Sequence, residues 1–249
     1  MGKNVRKKKD VRRTSGSLNA AASSLSSVAA PAAPANLLMS TPQSMLVNTL
    51  LPNYIWVIQN FMSPKECEAW IDWVECSREL EYINQRATRY MASRECFRVQ
   101  MNNPVMAEQL FRRIQAVKSL LTEELMPKNG PTENSSFTPV GCNPNLRVYK
   151  YSSGHAFSKH IDETNIVPGL GETKFTVLVY LSDCHGGATR FFPPQSSKKE
   201  GGNNSIAFAP KMGAMLIHLH GEDCLLHQAD PVEKGIKYVL RTDLVYSMK

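Results

Sequence analysis

Residues 145–192 read NLRVYKYSSGHAFSKHIDETNIVPGLGETKFTVLVYLSDCHGGATRFF, and their texture decides the fold. Short runs of β-branched and aromatic residues (LRVYKY, AFSKHI, KFTVLVYL, ATRFF) are separated at close intervals by Gly, Pro, Ser and Asp. Such runs fit a pleated, half-buried surface, and the residues between them supply turns. The pattern continues downstream in SIAFAP (205–210), AMLIHL (214–219) and KYVLRTDLVY (237–246). Many short strands with turn signals between them predict a sandwich or barrel, with a jelly roll the leading form. We therefore expect an all-β core over 144–249.

Upstream the texture changes. YIWVIQNF (54–61) reads as a strand, and order is expected to begin near Pro52. SPKE follows, with Ser63 as helix N-cap, Pro64 at the first helical position and Glu66 closing a capping box. Trp70, Ile71 and Val74 keep a helical spacing through CEAWIDWVECS. A second helix is expected from Asn103 and Pro104, carrying Val105, Leu110, Ile114, Val117 and Leu121 on one face and stopping by Pro127. Residues 53–127 thus read as a helical support that packs against the sheet, and their Trp and Met side chains as core. Residues 1–45 are basic and then Ser/Ala/Pro-rich, with little to bury, and are expected to be a disordered tail. The domain is expected over 46–249.

Charge and cysteine content narrow the function classes. The net charge of +7 is concentrated at one end: MGKNVRKKKDVRR carries seven Lys and Arg against one Asp. A basic tail of this kind can contact nucleic acid, anionic lipid or an import receptor, or stay solvated. Six cysteines (67, 76, 96, 142, 184, 224) are scattered without a CxxC pair and read as reduced thiols. No apolar run has the length of a membrane span or the layout of a secretion signal. The expectation is an intracellular protein, cytoplasmic or nuclear, without a membrane partner.

The chemistry-bearing residues lie in the β region. His160 and Asp162 stand one residue apart in HIDE, and His227 follows in CLLHQADP. On an extended segment, side chains two apart project to the same face, so His160 and Asp162 can approach one ion. Two histidines and a carboxylate can hold Fe(II) on one face and leave the other coordination positions open. Downstream, PVEKGIKYVLRTDLVY places Lys237 ten positions after His227 and Arg241 four further on. A cation near such a site suits a dicarboxylate co-substrate. Lys237, Val239 and Arg241 share a strand face, and Arg offers bidentate recognition where Lys offers a point charge. The competing histidines are His218 and His220 in IHLHG, either a rival metal pair or a pocket residue and a donor behind the ligands. They rank below His227 because no carboxylate is better placed for them. His155 and His185 lie in predicted turns and read as loop residues. Scattered single thiols give a zinc site little support.

Several of these stretches occur together in one known family. LRVYKYSSGHAFSKHID, FTVLVYLSDCHGGATRFFP, APKMGAMLIHLH and LLHQADPVEKGIKYVLRTDLVY closely resemble the core of the iron(II)- and 2-oxoglutarate-dependent oxygenases, specifically the prolyl 4-hydroxylase-like branch. YIWVIQNFMSPKECEAWID and SRECFRVQMNNPVMAEQLFRRI resemble the entry to that catalytic domain, so the resemblance covers about 53–249. It implies a double-stranded β-helix core packed against N-terminal helices. It also implies His160, Asp162 and His227 as iron ligands, and Lys237 as the cation for the far carboxylate of 2-oxoglutarate, with Arg241 the rival. Tyr151 and Tyr180 match tyrosines that line the co-substrate pocket. Phe157 stands where many relatives have Tyr, so a hydroxyl contact there is missing. Gly186, Gly187 and Thr189 match a structural turn and strand. The implied cofactors are Fe(II), 2-oxoglutarate and O2, with L-ascorbate sustaining the iron.

The function expected on that basis is a dioxygenase that hydroxylates a protein side chain, in first place prolyl, and releases succinate and CO2. Two alternatives stay open. One is a nucleic-acid base demethylase of the same superfamily, with the basic tail as its contact. The core shows no alternation of aromatic and basic residues that would mark a base-stacking surface. The other is a non-catalytic jelly-roll interaction module, against which the complete set of ligands and the cation argue.

Overall fold

The computed structural model describes residues 44–117, 139–194 and 205–247. The chain begins with strands β1 (Leu46–Leu51) and β2 (Ile55–Gln59), helix α1 (Pro64–Cys76), the hairpin β3 (Glu81–Gln85) and β4 (Arg94–Asn102), and helix α2 (Pro104–Gln115). It continues with β5 (Pro139–Cys142), β6 (Asn145–Tyr151), β7 (Phe157–His160), β8 (Ile166–Val167), β9 (Gly171–Tyr180), β10 (His185–Gly186) and β11 (Thr189–Phe192). The last elements are β12 (Ile206–Phe208), β13 (Met215–Leu219), a 3-10 turn (Gly221–Asp223), β14 (Leu226–Ala229), β15 (Val232–Lys234) and β16 (Lys237–Tyr246). None of the described helices is long and apolar enough to cross a membrane.

The strands are hydrogen-bonded in the order β1-β2-β13-β9-β16-β6-β4-β7-β14-β11-β12, with β3 on β4, β5 on β16 and β8 on β9. The path doubles back where β4 meets β7 through the single pair Arg94–Phe157. This nearly closed antiparallel barrel is the expected jelly-roll core.

Strand parity then sorts residues between two hydrophobic regions. Trp56 and Ile58 of β2, Phe175, Val177 and Val179 of β9, Met215 and Ile217 of β13, and Leu240 and Leu244 of β16 join one core. That core also takes Cys67, Trp70 and Val74 of α1 and Met106, Leu110 and Ile114 of α2, so the helices cover the outer face of the sheet. The opposite parity, including Ile55, Val57, Tyr149, Tyr151, Tyr180, Leu216 and Val239, fills the inside of the roll. The helices therefore stiffen the scaffold, and the roll's interior is left for chemistry.

Helix starts follow the sequence signals. Ser63 caps α1 by accepting from Glu66 N while the Glu66 carboxylate accepts from Ser63 N, and Pro64 opens the helix. Asn103 caps α2 by accepting from Met106 N. The second helix ends at Gln115, so Val117 follows it in a turn and Leu121 lies outside the described residues. The tail likewise falls outside them, apart from Ser44 and Met45.

Two expectations are corrected. Order reaches further upstream than Pro52, because LVNTLL pairs with β2 as strand β1. Residues 53–127 are also not simply a helical support: β3 and β4 stand between the helices, and β4 runs the length of β6 from Phe97–Lys150 to Asn102–Asn145. In RECFRVQMN the buried residues Cys96 and Val99 stand three apart and face opposite cores, so the strand lacks a clean alternation in its sequence.

Candidate metal and co-substrate site

His160 ends β7 and His227 lies on β14, and these two residues face each other in the β7–β14 ladder. Asp162 follows just past β7, its backbone pinned by Gly221 N donating to its carbonyl and by its own N–H donating to Cys224 Sγ. Sequence separation of 67 positions between His160 and His227 thus becomes a direct cross-strand contact. One ligand-capable atom from each of His160, Asp162 and His227 lies within 4.8 Å of the others. Nε2 of His160 stands 3.8 Å from Asp162 Oδ1, and Nε2 of His227 stands 3.6 Å from Asp162 Oδ2.

The protonation pattern fits a metal. Nδ1 of His160 lies 2.8 Å from the Ser158 carbonyl and Nδ1 of His227 lies 2.9 Å from the Leu225 carbonyl, so each must carry the proton there. The lone pairs are left on Nε2, aimed at the carboxylate. Burial pushes the His160 imidazole down to about 3, and burial also lowers His227, which keeps both rings neutral. Burial alone would raise the Asp162 carboxyl, but the Arg241 guanidinium beside it holds it well below the usual range. Two neutral imidazoles and a carboxylate anion are the donor set that a hard-to-borderline divalent cation such as Fe(II) accepts.

Asp162 is held from behind. Arg241 Nη1 donates to Oδ1 at 2.8 Å, and Thr176 Oγ1 donates to Oδ2 at 2.8 Å. His220 supports Thr176: its Nδ1 lies 3.0 Å from Thr176 Oγ1 and its Nε2 lies 2.9 Å from Thr173 Oγ1. With Thr176 donating to the carboxylate, the consistent direction is His220 Nδ1–H to Thr176 and Thr173 O–H to His220 Nε2. His220 therefore sits behind the carboxylate, whereas His218 is fully inside the roll beside it, with Nε2 3.6 Å from Asp162 Oδ2. Of the two loop assignments, His185 is exposed in the short β10–β15 pair. His155 departs from expectation: it packs near Tyr82 and Phe97 and lies 3.6 Å from Glu95.

Lys237 and Arg241 share the inward face of β16 but have different surroundings. Arg241 is committed to Asp162 and lies 3.5 Å from Asp243. Lys237 is 2% exposed and donates to the Gly187 carbonyl at 2.7 Å, with no ion pair among the described residues. Its ammonium lies 5.4 Å from the Tyr151 ring centroid and 5.6 Å from that of Tyr180. Burial lowers it to about 8, against a smaller opposing pull from Cys184 and Asp230. Gly187, at φ +64°, is needed here: a Cβ would stand 3.2 Å from Cys184 Sγ and 3.4 Å from Lys237 Cδ. Tyr180 is anchored by a 2.7 Å hydrogen bond to Thr189 and stands behind Lys237, whereas Tyr151, of the two expected tyrosines, lines the cavity itself.

One cavity, open to solvent, is lined by Tyr149, Tyr151, Leu178, Thr189, Lys237 and Val239 beside the His160–Asp162–His227 cluster. Phe157 stacks on His160 with centroids 3.6 Å apart, and the Arg94 guanidinium lies 3.5 Å from the Phe157 centroid. The hydroxyl missing at Phe157 is thus replaced by an apolar face between a cation and a ligand histidine. Thr176 and Arg94 were not among the expected site residues. Thr176 had a readable signal, a polar residue at an inward position of KFTVLVYL. Arg94 has none, because it lies between the two expected helices and no motif marks it.

Residues 146–242 match the family model described as 2OG-Fe(II) oxygenase superfamily. A comparison with curated protein sequences finds no match. Among solved structures, a viral collagen prolyl hydroxylase from Paramecium Bursaria Chlorella virus-1, in complex with 2OG, aligns with TM-score 0.51 and 17% identity, over 78% of this chain and 97% of its own. A Pseudomonas putida prolyl-4-hydroxylase aligns with TM-score 0.51 and 15% identity, over 78% and 93%. A Trichoplax adhaerens prolyl hydroxylase, in complex with a hypoxia inducible factor peptide fragment, aligns with TM-score 0.53 and 15% identity, over 78% and 84%. At these identities the likeness is one of fold.

Proposed function

From the premise that residues 146–242 carry a domain of the 2OG-Fe(II) oxygenase superfamily and make the chain a 2-oxoglutarate-dependent dioxygenase using Fe(II), 2-oxoglutarate and O2, we propose that it hydroxylates a prolyl side chain in a protein. The observation that carries the site assignment is the pairing of an uncommitted buried ammonium, Lys237, with a His160–Asp162–His227 cluster in one cavity. In this reading His160, Asp162 and His227 hold the iron, and Lys237 receives the far carboxylate of 2-oxoglutarate. Arg241 fixes the Asp162 carboxylate, Tyr151 walls the co-substrate and Tyr180 backs the Lys237 ammonium.

Held by His160, Asp162, His227 and Lys237, Fe(II) and 2-oxoglutarate would supply O2 activation, with succinate and CO2 released and a substrate C–H bond oxidised. The protein's part is geometric and electrostatic. Arg241 and Thr176 occupy the outward lone pairs of Asp162, which orients the carboxylate toward the histidines. The Ser158 and Leu225 carbonyls lock the imidazole tautomers. Lys237, buried in the cavity wall, offers one charge-assisted hydrogen bond, which low dielectric strengthens. The apolar walls Leu178, Val239 and Phe157 restrict water around the reacting centre.

The protein substrate is supported by the fold of the aligned structures, one of which was solved with a peptide. It is tested by incubating the purified protein, Fe(II) and 2-oxoglutarate with proline-containing peptide pools and following succinate together with a one-oxygen mass gain on proline. Stoichiometric succinate and hydroxyproline support the assignment. Succinate coupled instead to formaldehyde release from methylated oligonucleotides would replace it with base demethylation.

A further inference from the structure

Beside the His160–Asp162–His227 cluster lie two groups that the reaction does not use, His218 and Cys224. His218 sits at an inward position of β13, 2% exposed, between the rings of Phe191 and His227. Its Nδ1 lies 2.9 Å from the Leu219 carbonyl and so carries the proton, which leaves a lone pair on Nε2. That nitrogen has no hydrogen-bond partner among the described residues. The polar atom facing it is Asp162 Oδ2 at 3.6 Å, itself an acceptor. A buried lone pair set against a carboxylate is an arrangement that a cation relieves and a proton-poor pocket does not.

Cys224 reaches the same place by a different route. The 3-10 turn Gly221–Asp223 reverses the chain after β13, and Gly221, at φ +74°, allows it because a Cβ there would collide with Thr164 Oγ1. The thiol then accepts the Asp162 N–H at 3.2 Å and lies 3.9 Å from His227 Nδ1. One donor atom each from His218, Cys224 and His227 lies within 4.8 Å of the others, the same compactness as the first set.

We propose that His218, Cys224 and His227 form a second, sulfur-containing metal site for Zn(II), which competes with the iron site because the two sets share His227. Cys224 Sγ lies beside His227 Nδ1, so zinc binds there as the Nδ1 proton leaves the Leu225 carbonyl and the ring is re-protonated at Nε2. A neutral imidazole has one lone pair, so His227 serves one ion at a time. Two nitrogens and a thiolate, with water as the fourth ligand, match the tetrahedral preference of zinc, and N/S donor sets bind Zn(II) above Fe(II) in the divalent order. On binding, the Zn–S bond forms as the S–H bond breaks and the proton passes to solvent, with no change in oxidation state. Zinc therefore withdraws His227 from His160 and Asp162, and, on the dioxygenase reading above, switches turnover off.

The test uses the full chain freed of metal, titrated with Co(II) as a spectroscopic substitute for zinc and followed by thiolate-to-cobalt charge-transfer absorption. Wild type and His160→Ala are expected to show the band. Cys224→Ser is expected to lose it, and His218→Ala to need at least about tenfold more Co(II). At fixed Fe(II), Zn(II) inhibition of 2-oxoglutarate conversion is expected to require at least about tenfold more zinc in Cys224→Ser. A wild-type protein without the band overturns the proposal with no variant needed, and so does an undiminished band in Cys224→Ser or in His218→Ala. Because the band in His160→Ala does not need the iron site, its loss and a failure of the dioxygenase assignment are separate results.

Discussion

Replacing Lys237 by Ala removes the ammonium that the proposed co-substrate geometry depends on, and its size can be worked from the surroundings. Lys237 is 2% exposed, hydrogen-bonded among the described residues only to the Gly187 carbonyl, and flanked by Tyr151 and Tyr180, so water does not replace the lost charge. Truncating one partner of a buried, hydrogen-bonded charge pair costs about 2–5 kcal/mol. At 1.4 kcal/mol per tenfold, the lower bound is already a roughly 30-fold rise in the 2-oxoglutarate dissociation constant. Lys237→Met, which keeps most of the volume, separates the lost charge from the cavity and should behave alike. Isothermal titration with the metal-loaded protein measures both.

The same group gives a pH signature. Burial lowers the free ammonium from its ordinary 10.5 to about 8, and a carboxylate ligand favours the charged form, so binding raises it again. Below about pH 8 the ammonium is already present and no proton is taken up. Above it, binding is accompanied by proton uptake, and affinity falls by up to about tenfold per pH unit. In Lys237→Ala this slope should disappear. A change in dissociation constant of less than about threefold, with the slope retained, would refute the assignment, and a larger loss in Arg241→Ala would move the role there.

Other perturbations read other parts of the structure. Arg241→Ala frees Asp162 Oδ1 and should weaken iron binding by about 10–100-fold, measured by Fe(II) titration, while changing 2-oxoglutarate affinity less than Lys237→Ala does. Arg113→Ala strands the buried Glu66 carboxylate that Arg113 meets at 2.8 and 3.0 Å, costing about 3–5 kcal/mol. Thermal melting should fall by about 2–4 °C per kcal/mol in a domain of this size. Gly213→Ala forces a side chain at φ +79° onto the Met62 carbonyl and should lower denaturant stability by about 1–3 kcal/mol; an unchanged midpoint would contradict the packing of that turn.

The β core and the first-helix cap were legible because their signals are local. Ser63, Pro64 and Glu66 act within one turn, and alternation in KFTVLVYL survives in the sequence whatever the strand pairs with. The clustering of His160 with His227 was legible only as a possibility, since the contact is made by the register of β7 on β14, 67 positions apart. The separation of Lys237 from Arg241 was less legible still. Both point inward from β16, and the difference lies in Asp162 and Asp243, which come within reach of Arg241 alone. The hairpin β3–β4 was missed because two well-capped helices flank it and pairing with β6 overrode its weak local pattern. Thr176, His220 and Cys224 follow from parity and a reversing turn, which no single motif announces.

The most direct measurement is Fe(II)-dependent conversion of 2-oxoglutarate to succinate by the purified protein without any substrate, in wild type, His160→Ala and Asp162→Ala. Wild type is expected to turn over, to stop on chelation and to recover with Fe(II), and neither variant is expected to turn over although both fold. Succinate formation by His160→Ala or Asp162→Ala at the wild-type rate would contradict the iron site.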